Sequence, residues 1–390
     1  MFYCIVREAS RIGNFTITEG NYGVLKVVTG TPTLTGYATS NSQSNFIFKI
    51  PTTEGDIEFE STKALYSVVT LPVGKSNSTI TLVVTVILPY NKEFFNQPIE
   101  VEFKKNFSIG HRGKGSNLVE DSYQENTITG FLEAHKEHVD FVEFDVQLTS
   151  ENTPVIHHDF YISYNEIKED LGEPINNNPD GSHNYAIMQF NDVKFRDSKL
   201  HLKWNETLPT LKDMMTKLPK DLKFDIEIKY PFLPKFNGFV PYKERNAFID
   251  RILDEIHECK EDRALFFSSF DVECIAMLCV KQKRWPVFQL MTREEGESIE
   301  RFTRKVLQIA PMWKEFGVKG FVLDSSKLLL VPELVDKLKS MGYIIMTYGS
   351  PNNTVDGVVK QLDLGVQGIC TDKLELLQKT LNDYNKTTQN

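Results

Sequence analysis

The sequence predicts an α/β protein, a (β/α)8 TIM barrel preceded by a small all-β, sandwich-like domain. The chain has 390 residues, which is enough for a barrel of roughly 250 residues and one smaller domain. Residues 1–103 alternate short β-branched runs with turn residues, a pattern typical of antiparallel sheets. From residue 106 onward, short apolar strands alternate with amphipathic helical patterns, which is the arrangement of βα units.

The N-terminal domain, residues 1–103, contains runs such as YGVLKVVTG and STITLVVTVIL between Gly, Pro, Asn and Ser turns. These features favour a β-sandwich. All 3 tryptophans of the chain lie later, which disfavours a sugar-binding platform. We therefore interpret this region as a packing or docking domain, whose protein partner the sequence does not identify.

The barrel is assigned to residues 106–380 because eight strand segments can be read there, with helical patterns between most of them. They are FSIGHRG, FVEFDVQLT, FDIEIKY, ALFFSSF, PVFQLM, GFVLDSS, YIIMTYG and QGICTD. Eight βα units close a barrel, whose active site lies at the C-terminal ends of the strands. A polar, Asn-rich insertion at about 160–205 is expected to form a substrate lid, and 381–390 a polar C-terminal tail.

The composition excludes several classes of partner. A formal net charge of -9 argues against sequence-independent nucleic-acid binding and against adsorption to anionic membranes. The 5 cysteines are scattered and show no C-x-x-C spacing, so reduced thiols and a cytoplasmic location are expected. The first residues lack the apolar core of a signal peptide, and the longest apolar run is too short to span a membrane.

Two pairs of carboxylates lie on consecutive predicted barrel strands. Glu143 and Asp145 are two residues apart in FVEFDVQ, so their side chains share one face of the strand. Buried acids this close repel each other unless a cation neutralises them. The next strand repeats the spacing with Asp225 and Glu227, of which Glu227 is a candidate third ligand. Such oxygen ligands suit a divalent cation, Mg²⁺ or Ca²⁺, of which we favour Mg²⁺.

Histidines and cations follow the same strands. GHRGKG places His111 and Arg112 at the end of the first strand, where a guanidinium can grip a phosphate with two hydrogen bonds. Lys229 ends the second carboxylate strand and would point toward an anion. His157 and His158 follow the first carboxylate strand in TPVIHHDF, and an imidazole there suits proton transfer near neutral pH. Together these groups suggest metal-assisted attack on a phosphodiester, with one histidine as base and another as acid.

At these residues the chain resembles the glycerophosphodiester phosphodiesterase family. The matching strings are HRG, ENT at 125–127, EFD at 143–145, PVIHHD, EIK at 227–229 and the closing VQGICTDK. The resemblance covers residues 106–378 and is greatest to the large eukaryotic cytosolic members that act on glycerophosphocholine. It implies metal-dependent hydrolysis of a small-molecule glycerophosphodiester, most directly glycerophosphocholine, to sn-glycerol 3-phosphate and choline.

The resemblance also implies a role for each matching residue. The acid–base pair would be His111 and His158, because the catalytic histidine of the family directly precedes an aspartate. The metal ligands would be Glu143, Asp145 and Glu227. The substrate contacts would be Arg112, Lys229, Glu125 and Tyr348, the last standing where many members have a tryptophan. Either water or the glycerol hydroxyl of the substrate would attack phosphorus.

Two features bear on the substrate and on the extent of the chain. A choline head group favours aromatic faces, and Tyr161, Tyr164, Trp204, Tyr230 and Tyr348 are available, although packing is the commoner role of such residues. The large eukaryotic members also carry an N-terminal carbohydrate-binding module, which residues 1–103 do not resemble. The chain is therefore expected to be a shorter form or part of a longer protein.

Two other functions remain open. A lysophospholipase D or sphingomyelinase-like hydrolase could share this barrel, and activity on lysophosphatidylcholine micelles would favour it. A non-catalytic binding or regulatory barrel is the second, but a decayed site is expected to have lost at least one histidine or carboxylate, and every motif position is intact.

Overall fold

The computed structural model describes residues 2–12, 20–22, 25–27, 35–40, 47–60, 66–75, 77–114, 123–198, 207–231, 242–259, 262–294 and 296–388. Two compact units are present. The first comprises Met1–Phe95, Ala276–Lys283 and Arg293–Val318, and the second comprises Asn96–Ile275, Arg284–Thr292 and Lys319–Asn390.

The strands, in chain order, are β1 Phe2–Ile12, β2 Gly20–Tyr22, β3 Leu25–Val27, β4 Thr35–Ser40, β5 Ile47–Ile50, β6 Ile57–Glu60, β7 Tyr66–Pro72, β8 Thr79–Ile87, β9 Phe107–Gly110, β10 Phe141–Leu148, β11 Pro154–Ile156, β12 Tyr161–Tyr164, β13 Asn176–Asn177, β14 His183–Ala186, β15 Lys223–Ile228, β16 Leu265–Ser269, β17 Val287–Met291, β18 Gly320–Asp324, β19 Ile344–Tyr348 and β20 Gly368–Thr371.

The helices are α1 Ile128–Lys136, α2 Asp192–Asp197, α3 Leu211–Lys217, α4 Arg245–Cys259, α5 Val272–Lys281, α6 Ile299–Phe316, α7 Ser325–Leu328, α8 Glu333–Ser340, α9 Val355–Asp363 and α10 Leu374–Thr388.

The first unit contains antiparallel sheets. Six strands pair in the order β2-β3-β4-β1-β8-β7, and β5 pairs with β6. In β8 the first buried residues alternate, as in Ile80 and Leu82, because successive side chains of a strand point to opposite faces. The predicted all-β N-terminal region is confirmed. This unit also includes α6, where Phe316 contacts Tyr37 of β4 edge-on with ring centroids 5.1 Å apart.

The second unit contains the barrel. β10, β15, β16, β17, β18, β19, β20 and β9 pair in that order, each parallel to the next, and β9 also pairs with β10, which closes the barrel. These are the eight strands that the sequence predicts, so the predicted (β/α)8 barrel is confirmed. Parallel strands are buried on both faces and read as continuous apolar runs, which is why they are visible in the sequence.

Phenylalanine rings fill the barrel at the N-terminal ends of its strands. This aromatic layer consists of Phe103, Phe107, Phe141, Phe266 and Phe288. Phe103 stacks on Phe141 at 5.7 Å between ring centroids, and Phe266 meets Phe288 at 4.9 Å. Aromatic pairs in these geometries contribute beyond the area that they bury. The layer therefore closes this end of the barrel with an apolar core.

The insertion after β10 is an ordered substructure over its described part. β11 pairs antiparallel with β10, and the small sheet β12-β14-β13 follows. Tyr185, Phe190 and Phe195 are fully buried in an apolar cluster of this region. Residues 199–206 lie outside the described ranges, so the lid assigned to 160–205 stays a prediction.

The last helix takes in most of the segment that was expected to be a polar tail. α10 extends to Thr388, with Leu374, Leu377 and Leu381 buried. These leucines are spaced at three and four residues, which places them on one face of a helix. The buried stripe thus reaches Leu381, and the helix continues beyond it to Thr388.

Candidate active site

Carboxylates from two neighbouring strands converge at the C-terminal end of the barrel. In the parallel pairing of β10 with β15, Glu143 lies opposite Asp225 and Asp145 lies opposite Glu227. All four side chains are buried. One oxygen from each of Glu143, Asp145 and Glu227 lies within 4.8 Å of the others. The structure therefore brings together the three predicted ligands.

Two oxygens of this triad are unsatisfied. Glu143 Oε1 and Asp145 Oδ1 are buried and have no hydrogen-bond partner among the described residues. A buried carboxylate oxygen without a partner is costly. Hard divalent cations bind such oxygens, so the three residues fit a divalent cation.

The pKa values of the two acids on β10, Glu143 and Asp145, are shifted in opposite directions. Burial, followed by the charges of Asp145 and Glu227, raises the pKa of Glu143 well above its usual value. Burial would also raise the pKa of Asp145, but Lys229, His158 and Arg112 outweigh burial and lower it. A cation at the triad would favour the ionised form of both carboxylates.

Two basic side chains border the triad. Lys229 Nζ lies 3.0 Å from Glu227 Oε1 and 3.6 Å from Asp145 Oδ1. Arg112 donates through NH1 to Glu125 Oε1 at 2.8 Å, and its Nε lies 3.7 Å from Asp145 Oδ2. Glu125 thus orients the guanidinium, and both cations stand beside the carboxylates.

The backbone around Arg112 is held in an unusual conformation. Arg112 has φ 52°, a region that non-glycine residues rarely adopt. Its N–H donates to Glu143 Oε2 at 2.8 Å, and its carbonyl accepts from Asn126 N at 3.0 Å. Gly113 follows at φ 89°, where a Cβ would lie 3.0 Å from Gly130. The HRG and ENT segments are therefore locked together by backbone contacts.

The ENT segment also supports the triad. Asn126 Nδ2 donates to Asp145 Oδ2 at 2.9 Å. Thr127 caps α1 by accepting from Gly130 N at 3.1 Å, and such a cap stabilises the start of a helix. The motif thus contacts Asp145 of the triad through Asn126 and caps α1 through Thr127.

His111 is oriented by an aspartate from the last barrel strand. Its Nδ1 lies 2.6 Å from Asp372 Oδ1. Burial raises the pKa of Asp372, but the hydrogen bond and charge of His111, with smaller contributions from Asn353 and Arg112, together outweigh burial and lower the pKa to about 2. Asn353 Nδ2 donates to the second oxygen, Asp372 Oδ2, at 2.8 Å. Because an ionised carboxylate only accepts, Nδ1 of His111 carries a proton and Nε2 is the nitrogen free to gain or lose one.

His158 has the same type of partner, whereas His157 does not. Nδ1 of His158 lies 2.8 Å from Asp159 Oδ1, whose pKa is lowered first by that hydrogen bond. The ring of His157 instead packs edge-on against Phe195 at 6.3 Å, and burial lowers its pKa. Of the two neighbouring histidines, His158 therefore has the orientation expected of an acid–base group.

The aromatic residues that the sequence offers for binding a choline head group lie in different parts of the structure. Tyr348, at the end of β19, is half-buried and meets Phe270 edge-on at 5.9 Å. Burial raises its pKa, and a hydrogen bond with Thr292 acts in the opposite direction. Tyr164 packs against Tyr185 in the insertion. The remaining candidates are Tyr161, which is half-buried on β12; Tyr230, whose ring lies 4.3 Å from the Arg245 guanidinium; and Trp204, which lies outside the described residues.

Asp372 and Asn353 were missed as site residues. A signal was present, because β9 and β20 are the first and last strands of a closed barrel and must be neighbours. The end of CTD therefore had to lie beside HRG. Asn353 ends a short 3-10 helix, Ser350–Asn353, that follows β19, and no spacing rule predicts its contact.

The closed eight-stranded barrel, with histidines, carboxylates and cations at one end, defines a TIM-barrel protein with a candidate metal-binding site. Residues 111–376 match the glycerophosphoryl diester phosphodiesterase family. This match covers more than half of the chain, which therefore belongs to that family, as the sequence motifs predicted.

Relatives in other organisms are similar over most of this chain. The glycerophosphocholine phosphodiesterase of Candida albicans is 27% identical over 334 residues, covering 72% of this chain and 29% of the relative. The human glycerophosphocholine phosphodiesterase is 27% identical, covering 68% of this chain and 43% of the relative. The chain thus spans less than half the length of either protein.

Solved structures show the same fold. A glycerophosphodiester phosphodiesterase from Parabacteroides distasonis has a TM-score of 0.53 and 22% identity, and covers 73% of this chain and 100% of its own. A phosphodiesterase from Oleispira antarctica, solved with the product sn-glycerol-3-phosphate, has a TM-score of 0.51 and 16% identity, covering 71% and 96%. Among the helices in the described ranges, none has the length and apolar character needed to cross a membrane.

Proposed function

We propose that the protein hydrolyses glycerophosphodiesters with a bound divalent cation, Mg²⁺ in preference to Ca²⁺. The single observation that carries this proposal is the buried triad of Glu143, Asp145 and Glu227 with two unsatisfied oxygens. Cations that bind substrate phosphates commonly use few protein carboxylates and leave positions for the substrate. When bound, the ion polarises a phosphoryl oxygen.

The side chains around the triad supply the remaining chemistry. Arg112 and Lys229 balance the negative charge of the phosphodiester, and Glu125 holds the Arg112 guanidinium in place through their 2.8 Å hydrogen bond. Tyr348, the last residue of β19, is the aromatic side chain that we assign to substrate contact. These contacts position the phosphorus at the C-terminal end of the barrel.

His111 and His158 act as the acid–base pair. One imidazole takes the proton of the attacking hydroxyl through Nε2, and the other gives a proton to the departing alcohol oxygen. A new P–O bond forms as the bond to that alcohol breaks. Asp372 and Asp159 hold the two rings by Nδ1, at 2.6 and 2.8 Å. The attacking hydroxyl is either water or the glycerol hydroxyl, and the second route gives a transient cyclic phosphate that ³¹P NMR would detect.

The substrate that we propose is glycerophosphocholine, which yields sn-glycerol 3-phosphate and choline. Its support is the similarity to the relatives from Candida albicans and human that carry this activity in their names. The half-buried ring of Tyr348, at the C-terminal end of β19, offers an aromatic surface of the kind that a quaternary ammonium favours.

The test is release of sn-glycerol 3-phosphate from glycerophosphocholine by the purified chain with Mg²⁺. We expect EDTA and His158→Ala each to abolish release, and His257→Ala, a histidine in the last turn of α4, to preserve it. Parallel assays with glycerophosphoethanolamine as substrate, and with Ca²⁺ in place of Mg²⁺, test which head group and which ion the protein prefers. Cleavage of lysophosphatidylcholine alone would replace the proposal with a lysophospholipase D, and no cleavage of any substrate would indicate a binding barrel.

A further inference from the structure

A single buried amide holds the segment that carries His158. Gln147 lies on β10, two residues beyond Asp145, and is fully buried. Its Nε2 donates to the carbonyl of His157 at 2.8 Å and to that of Asp159 at 2.7 Å. The two peptide carbonyls on either side of His158 are thus fixed from the barrel strand below.

The other end of this amide is bound by a tyrosine distant in sequence. The Tyr242 hydroxyl donates to Gln147 Oε1 at 2.8 Å. An amide oxygen only accepts and an amide nitrogen only donates. The two carbonyls therefore fix the orientation of the amide, with its N–H groups toward the His158 segment, and the Tyr242 hydroxyl satisfies the amide oxygen on the opposite side. With the amide reversed, three oxygens would face each other.

Aromatic contacts hold Tyr242 against the same segment. Its ring meets that of Phe160, which follows Asp159, at 5.9 Å, and that of Tyr230 at 5.3 Å. Lys229 Nζ lies 5.7 Å from the ring of Phe160. Tyr242 therefore touches the His158 segment twice, through Gln147 and through Phe160.

We propose that Tyr242, acting through Gln147, is a positioning residue for His158. The inference rests on the proposed function, because it assigns His158 to proton transfer. Small displacements of a catalytic group lower the rate of the chemical step more than they weaken substrate binding. Loss of the Tyr242 hydroxyl is therefore expected to lower kcat and leave KM nearly unchanged.

The experiment compares Tyr242→Phe with Tyr384→Phe. Both variants keep the ring and lose a hydroxyl that donates a hydrogen bond, but the Tyr384 hydroxyl, on α10, donates to Asp363 Oδ1 at 2.9 Å, at the end of α9. We expect Tyr242→Phe to lower kcat by about 10-fold or more, with KM within about 2-fold. Tyr384→Phe should keep kcat within about 2-fold of wild type.

A double variant tests the route. Because Tyr242 acts through Gln147, adding Tyr242→Phe to Gln147→Leu should lower kcat no further than Gln147→Leu alone. Equal kcat for the two tyrosine variants, a parallel change in KM, or losses that multiply would overturn the inference while leaving the wild-type activity in place. An inactive wild-type enzyme would instead remove the proposed function, and this inference with it.

Discussion

The two ends of the barrel interior differ in polarity although the same strand contributes to both: one end is filled with aromatic rings and the other carries carboxylates. At its N-terminal end β10 contributes Phe141, whose ring meets that of Phe266 at 5.1 Å. Two residues later it contributes Glu143, whose Oε1 is buried without a partner among the described residues. The aromatic layer stabilises the fold, whereas the carboxylate end is costly unless a ligand compensates its charge. Stability and chemistry are thus separated along β10.

The largest effect is expected for Asp145→Asn at the charged end. This change keeps the shape of the side chain but removes a ligand charge and weakens the contacts to Lys229 and Arg112. We expect kcat/KM to fall by roughly 10³-fold, or about 4 kcal/mol of transition-state stabilisation. Steady-state assays under saturating Mg²⁺ measure this. A loss below 10-fold would argue against the triad as the ion site.

At the opposite end, Phe141→Ala should reduce stability and spare activity. Its fully buried ring contacts Phe103, Phe107 and Phe266. We expect a loss of about 3–5 kcal/mol in the free energy of unfolding, measured by urea titration, with kcat of the folded fraction within about 3-fold. Phe103→Ala, at a partly buried ring, should cost less. A kcat loss as large as that of Asp145→Asn would contradict the separation of the two ends.

Cation binding at the triad should stabilise the folded protein, by less than Phe141→Ala destabilises it. Mg²⁺ at about 100 times its dissociation constant is expected to add about 2.7 kcal/mol to the stability of the wild type. Glu143→Gln should reduce this gain, because it removes one of the three carboxylates. Thermal unfolding with Mg²⁺ or EDTA provides the measurement. Equal Mg²⁺-induced shifts in the two proteins would place the ion elsewhere.

The smallest expected effect is a loss of stability at acidic pH, as Asp372 becomes protonated. Against burial, His111, Asn353 and Arg112 together lower the pKa of Asp372 to about 2, below its unfolded value of about 3.9. The stability that Asp372 contributes is therefore present above about pH 4 and is lost as the pH falls toward about 2. The side chain is 35% exposed, so solvent screening keeps the effect small.

Asp372→Asn should accordingly lower the unfolding temperature at pH 5 and converge with the wild type near pH 2. Asp336→Asn, at an exposed carboxyl on α8, is the control and should give a pH dependence parallel to that of the wild type. A constant difference between Asp372→Asn and wild type at every pH would show that the contact contributes through packing alone.

Much of this arrangement could be predicted from the sequence because it depends on local periodicity. The barrel strands read as apolar runs, and the spacing of Glu143 from Asp145 placed both on one face. Residue spacing could not choose between His157 and His158, because neighbouring residues in a turn follow no fixed period. Nor could local pattern predict that Tyr242 reaches Gln147, since the contact joins residues 95 positions apart.

The boundaries of the units were equally hard to predict. The motif of βα repeats gave no sign that α6 belongs to the same compact unit as the N-terminal sheets. Compactness depends on contacts between distant residues, such as Tyr37 with Phe316. An amphipathic stripe of three leucines in α10 was readable in principle, but the polar residues around it dominate the composition of that segment.

Closure of the barrel between β9 and β20 also has a consequence for biosynthesis. His111 and Asp372 are 261 positions apart, and ribosomes add roughly 5–20 residues per second. About 13–50 seconds therefore separate the emergence of the histidine from that of its aspartate. During this interval the nascent chain carries Arg112 and the acidic pair of Glu143 and Asp145 without the strand that completes the ring. The candidate site is consequently incomplete until β20 has been synthesised.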